Sequence, residues 1–153
     1  MSIKDMIAQL GQGMLTSVLI YALTLIGAVP LALPLALARG GKSKIARLLT
    51  GAYISFMRGT PLMLQLIAVY FGPWYLFRIR ISDGYRFYAV IIAFVLNYAA
   101  YFAEIYRAGI AAVPKGQREA AAVLGYTNAQ AFFRIVLPQV IKHILPPMAN
   151  EFI

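Results

Sequence analysis

Cysteine is absent from the 153 residues, so no disulfide framework, thiolate metal site or lipid-anchored cysteine enters the reading. Histidine occurs once, at His143, and a lone imidazole has no neighbour of its kind with which to hold a metal. Ser-His-Asp chemistry would have to run through that residue, inside an apolar, Pro-rich stretch. The five acidic residues are too scattered to supply the paired carboxylates of glycoside hydrolysis. With so few reactive groups the chain is not read as an enzyme, and no catalytic residue and no metal ligand are assigned.

What the chain does have is apolar surface. It is 61% hydrophobic and only 12% charged, with a mean hydropathy of +0.74, too apolar for a water-soluble domain of ordinary composition. The reading is a single all-α unit embedded in a lipid bilayer, residues 1–153. Net charge is +9, but the cations fall between long uncharged runs, which makes them topology signals and not a nucleic-acid arm.

Residues 6–38 carry no charge, and 14–38 alone can cover the ~30 Å hydrocarbon core at about 1.5 Å per residue. Ala36-Leu37-Ala38 resembles a signal-peptidase site, but the apolar run is longer than a signal peptide has, and a retained span is expected. Pro30 and Pro34 are expected to kink it. Arg39, Lys42, Lys44 and Arg47 then follow without an acid among them, as in a short cytoplasmic loop. The first span therefore runs from outside to inside. A second span is expected over 53–77, with Arg58 near its inner end, either snorkelling or facing protein. Residues 78–86 hold the Asp83-Gly84 turn signal and should lie outside. A third span covers 87–112, with Glu104 and Arg107 three apart and able to pair. A partial fourth covers 131–153, interrupted by Pro138 and by Pro146-Pro147.

Between the last two lies the most polar and most punctuated stretch, Pro114 to Pro138. Pro114 fits the first turn of a helix, and Gly125 is placed to end it in the left-handed conformation. Thr127 with Gln130 makes a capping box for a second helix. A DNA-binding helix-turn-helix has the same outline, but its second helix would present Phe132, Phe133, Ile135, Val136 and Leu137 where base-reading polar groups are needed. Ala36 to Ser43 nearly spells a phosphate-binding loop, yet alanine replaces the first glycine and a bilayer-length helix stands where a strand is required. Gln65, Asn97, Tyr98, Tyr101 and Glu104 lie within spans. Two readings stand for them: interhelical hydrogen bonding, or the polar lining of a solute path, for which Gln65, Asn97, Tyr101 and Glu104 are the candidates.

Glu119-Ala120-Ala121, Gly125, Ile135 and Leu137-Pro138 match, spacing included, the EAA motif of binding-protein-dependent ABC importer permeases. Phe56 to Leu62, Ala103 to Ile110, Val113 to Gln117, Leu145-Pro146-Pro147 and Asn150 to Ile153 resemble the polar amino acid branch of that family. The resemblance implies the methionine-importer-like (type I) ABC permease fold, with four of about five core spans present and the chain ending where a further span would follow. It also implies that a short cytoplasmic helix, about 115–125, docks in a groove on an ATPase subunit, with Lys115, Gln117, Glu119, Ala120, Ala121 and Gly125 carrying the coupling. The implied partners are two ABC ATPase subunits, which bind ATP and Mg, a second permease subunit and an external solute-binding protein. No cofactor is implied for this chain. The implied function is import of a polar amino acid across the bacterial inner membrane by alternating access. The alternatives are an ATP-independent channel or secondary carrier and, more remotely, a DNA-binding protein.

Overall fold

A computed structural model describes residues 2–82 and 84–152. Asp83 of the Asp83-Gly84 turn signal, and Ile153 at the end of the terminal motif, lie outside the described residues. Within that range there are helices and connections and no strand. The helices are α1 Ile3–Gly40, α2 Lys44–Gly59, α3 Leu62–Phe77, α4 Tyr85–Ala112, α5 Lys115–Val123, α6 Asn128–Ala131 and α7 Leu137–Phe152, with a π-helical turn Phe132–Val136 between the last two. α1 and α4 are each long and apolar enough to cross a membrane, and α2 with α3 makes a third crossing if that bent pair is one span.

α1 starts on an acid, Asp5 in its first turn, and ends on a base, Arg39 in its last, the arrangement its dipole favours. It continues through Pro30 and Pro34 without a break. Two of its hydroxyls bond within the helix, where lipid offers no partner: Thr16 Oγ1 donates to Gln12 O at 2.9 Å and Ser17 Oγ to Gly13 O at 3.0 Å. Gly41 to Ser43, the end of the phosphate-loop-like sequence, is only the short connection between α1 and α2.

The second expected span differs most. Residues 53–77 do not form one helix: α2 stops at Gly59, α3 begins at Leu62, and the chain bends by 110° between them. Pro61 is the cause, since it has no N–H to continue α2 and disfavours the helical conformation at Thr60. Pro61 then serves as the N-cap of α3. α3 ends at Arg78, whose φ of 56° is left-handed, with its N–H donating to Trp74 O at 3.0 Å. Among the described residues it is the one non-glycine with positive φ, an arrangement that costs on the order of 1 kcal/mol.

The chain forms two compact units. The first takes in the residues up to Leu31 and Ser55–Ala99. Its interior is built on small side chains: Ala28 on α1, with Ala89 and Ala93 one turn apart on α4, are all buried. A Cβ at Gly27 would come within 2.8 Å of Val95. Such close approach is how helices associate in lipid, where apolar surface alone provides no drive.

The second unit takes in Ala32–Ile54 and the residues from Ala100 on. Val113, Val136 and Val140 form its core, flanked by Ile110, Phe132 and Ile144. Gly109 lets α4 lie directly on α7, since a Cβ there would stand 2.3 Å from Ile144 Cγ2 and 3.5 Å from Val140 Cγ1. Gly109→Leu should therefore destabilise the full-length protein by about 1–3 kcal/mol through overpacking. Gly72→Ala, with no atom within 4 Å of its Cβ position, should leave the melting temperature unchanged or slightly higher. Thermal unfolding of the two purified variants checks the contrast.

Candidate functional site

The punctuated stretch is built as a short lever on a fixed mount. Pro114 sits one position earlier than expected, at the N-cap of α5 with ψ of 139°, where its missing N–H leaves nothing unsatisfied. α5 is nine residues long, and every side chain from Lys115 to Val123 is exposed except Ala121, at 1%. Lys115, Gln117, Glu119 and Ala120 therefore lie on the surface of the chain, and Ala121 does not. α5 packs against the π-helical turn and α6, and Ala121 is the residue of α5 buried in this unit. Its small size allows that close packing within the chain.

The end of α5 is fixed by two hydrogen bonds. Gly125 N–H donates to Ala122 O at 3.0 Å and Tyr126 N–H to Ala121 O at 3.0 Å, the pair that defines a Schellman closure. Gly125 has φ of 80°, a conformation that a side chain resists. One residue after Tyr126 the capping box closes: Gln130 N–H donates to Thr127 Oγ1 at 3.3 Å, and Thr127 N–H donates to Gln130 Oε1 at 2.9 Å. The two devices set the direction of α5 with few degrees of freedom left.

Sequence reasoning missed the π-helical turn and Gln139. In the turn, Leu137 N–H reaches back to Phe132 O, five residues away instead of four. Pro138 gives the reason, because its ring would collide with the carbonyl four residues earlier and it has no N–H to offer that carbonyl. Gln139, next to it, links the turn to α5: its Nε2 donates to Ile135 O at 2.9 Å and to Gln117 Oε1 at 3.3 Å. Gln117, assigned to the exposed coupling helix, is thus also tied to α7. The Leu137-Pro138 pair was the available signal, since an interior proline predicts an orphaned carbonyl.

The four intramembrane candidates separate. Gln65 and Asn97 are buried and hydrogen-bonded to each other, Asn97 Nδ2 to Gln65 Oε1 at 3.0 Å. Gln65 Nε2 donates to Met57 O at 2.9 Å, Thr60 O at 3.1 Å and Thr60 Oγ1 at 2.8 Å. Asn97 Nδ2 also donates to Met57 O at 3.2 Å, while Thr60 Oγ1 donates to Phe56 O at 2.8 Å. These bonds serve the carbonyls orphaned where α2 breaks, which lipid cannot hydrate. The hydrogen bonds expected on the first of the two readings are thus present for this pair.

Tyr101 and Glu104 are half-buried on α4, in the second unit. Glu104 pairs with Arg107 as their spacing predicts, Arg107 Nε donating to Glu104 Oε1 at 3.0 Å and its Nη2 bonding the same oxygen. No group of three or more His, Asp or Glu among the described residues is arranged to hold a metal ion. His143 is exposed on α7.

Helices long and apolar enough to cross a membrane, with a short exposed helix held by a Schellman closure and a capping box, define a multi-pass membrane protein of the permease class. Residues 28–153 match the family model described as binding-protein-dependent transport system inner membrane component, and the chain belongs to that family. It is 40% identical over 144 residues to the L-cystine transport system permease protein TcyB of Bacillus subtilis, covering 94% of this chain and 60% of the relative. It is 48% identical over 101 residues to the arginine transport system permease protein ArtQ of the same organism, covering 66% and 45%. A crystal structure of an amino acid ABC transporter with histidines superposes with a TM-score of 0.82 at 37% identity, covering 99% of this chain and 71% of that one. The fold is thus the helical permease fold of amino acid ABC transporters. The chain spans 60% and 64% of the length of two curated relatives, TcyB and the L-cystine permease protein TcyL, also of Bacillus subtilis.

Proposed function

We propose that this chain is part of the transmembrane permease subunit of an ATP-driven importer for polar amino acids, and that it performs no bond chemistry itself. It works with a second permease subunit, two ATPase subunits that bind ATP and Mg, and an external solute-binding protein, in the bacterial inner membrane. The relatives named for cystine and arginine transport support the substrate class. The observation that carries the reading is α5, exposed along all its length but for Ala121, short, and rigidly set at its C-terminal end.

In this mechanism α5 sits in a groove of the ATPase, helix in groove, with Glu119 and Lys115 making charged contacts. ATP-driven closure of the ATPases draws the α5 helices of two permeases together. The Schellman closure, the π-helical turn and the Gln117–Gln139 bond pass that displacement to α7, and α4 receives it through Val113 and Gly109. Residues 1–153 act as one domain in this scheme.

The absence of native cysteine makes the docking testable by single-cysteine cross-linking. In the full-length permease assembled with its ATPase, Glu119→Cys should cross-link to the ATPase in high yield, whereas Ala121→Cys should react at a small fraction of that yield. Equal yields, or none from Glu119→Cys, would remove α5 from the ATPase interface.

A further inference from the structure

α3 and the first half of α4 belong to the same compact unit, and between them lies a cleft of about 320 Å³, within the range of ligand pockets. Leu66, Ile67 and Phe71 of α3 line it opposite Ala89 and Val90 of α4, and Arg86, in the first turn of α4, completes it. Ile67 and Phe71 are 50% and 43% exposed, so the cleft opens on the surface of the chain. Its two walls are tied together. Pro73, inside α3, has no N–H for the carbonyl of Val69, and lipid could not supply one. Tyr85 Oη donates to that carbonyl at 3.0 Å, and its ring stacks on Tyr70, another cleft residue, with centroids 6.2 Å apart.

The lining suits an amphiphile. Its walls offer aliphatic and aromatic surface and one full charge, that of Arg86. Among the described residues Arg86 forms no ion pair, and it is exposed. Residues 78–86 hold three arginines, Arg78, Arg80 and Arg86, against one acid, Asp83, so this end of the two helices is net positive. It is also the end that meets the headgroups. α4 is long and apolar enough to cross a membrane and starts at Tyr85, which sets its first turn at a membrane surface. Trp74, Tyr75 and Tyr88, 41%, 72% and 63% exposed, supply the aromatic girdle typical of that level.

We propose that this cleft binds one anionic phospholipid, with an acyl chain between α3 and α4 and the phosphate on the Arg86 guanidinium, a charge-assisted pairing to which the planar arginine fork is suited. On the charge-based topology the lipid belongs to the outer leaflet. The site is separate from α5 and does not depend on ATPase coupling.

Brominated lipids test it in the full-length permease in nanodiscs. Trp74 is the one tryptophan of the 153 residues. Phe71→Trp in a Trp74→Phe background, read as the difference from that background, therefore reports on the cleft. Phosphatidylglycerol brominated along its acyl chains should reach half-maximal quenching at about one fifth of the mole fraction that equally brominated phosphatidylcholine requires. Arg86→Gln should bring the two lipids within about twofold of each other. If that variant does not fold, Val90→Phe, which narrows the cleft and keeps its charge, should abolish the preference as well. Equal quenching by both lipids before either substitution would reveal bulk lipid only, and no quenching by either would reveal another helix or subunit over the cleft. Both results overturn the proposal, as does a preference that survives Arg86→Gln and Val90→Phe.

Discussion

Gly125→Val is expected to reduce ATP-driven uptake by the full-length permease about tenfold or more, with membrane insertion unchanged. The reason is confined to the backbone. Gly125 has φ of 80°, and no atom lies within 4 Å of the position its Cβ would take, so valine meets no obstacle in space. A β-branched residue held in that region is strained by about 1–3 kcal/mol. The strain is relieved by losing the Gly125–Ala122 and Tyr126–Ala121 bonds that set the direction of α5. Gly125→Asn makes the control, because asparagine tolerates the left-handed region and should retain most of the uptake. Equal loss in both variants would point to a need for empty space at residue 125, not for its conformation.

Gln65→Leu should lower the stability of the full-length permease in denaturant titration by about 2 kcal/mol, more than an average intramembrane hydrogen bond is worth. The substitution removes the Gln65 donor from Thr60 O and Thr60 Oγ1, leaves Met57 O to Asn97 alone, and takes from Asn97 one of its two acceptors. Asn97→Leu should cost less, since Gln65 still reaches Met57 O and both Thr60 oxygens. The double variant should fall short of the sum of the two singles, because the Gln65–Asn97 bond is then counted once. A polar solute path makes the opposite forecast: stability unchanged, with a rise in the substrate concentration needed for half-maximal uptake. The two readings left open for these residues by their types and positions are separated by which quantity moves.

Local features that depend on a few neighbouring residues were legible in the sequence. The Schellman closure at Gly125 and the capping box at Thr127 follow from conformational preferences that act over a handful of bonds, and the Glu104–Arg107 pair from helical spacing. Hydropathy placed α4 almost to the residue, since an uninterrupted apolar run between charged ends has one solution in a bilayer. It gave no sign of the break within 53–77, where apolar character continues across Thr60-Pro61 while the helix does not. The averaged signal ignored one proline, and that proline turns the chain by 110°. The roles of Gln65 and Asn97 were out of reach for the same reason: until the break is known, there are no orphaned carbonyls for them to serve. Ala121 shows a different limit. Alanine is compatible with either side of a helix, and the motif in which it sits does not say that Ala120 faces outward and Ala121 inward. The π-helical turn lay between these cases, implied by Pro138 but without a local pattern to place it.

In the proposed function, ATP hydrolysis by a partner drives solute past these helices. The most direct measurement is accumulation of a labelled amino acid by proteoliposomes holding the full-length permease, its ATPase and its solute-binding protein. Accumulation above the external concentration, present with ATP and Mg on the ATPase side and lost when the ATPase is omitted, is the predicted result. Uptake at the same rate without ATPase would contradict it and identify a channel or secondary carrier instead.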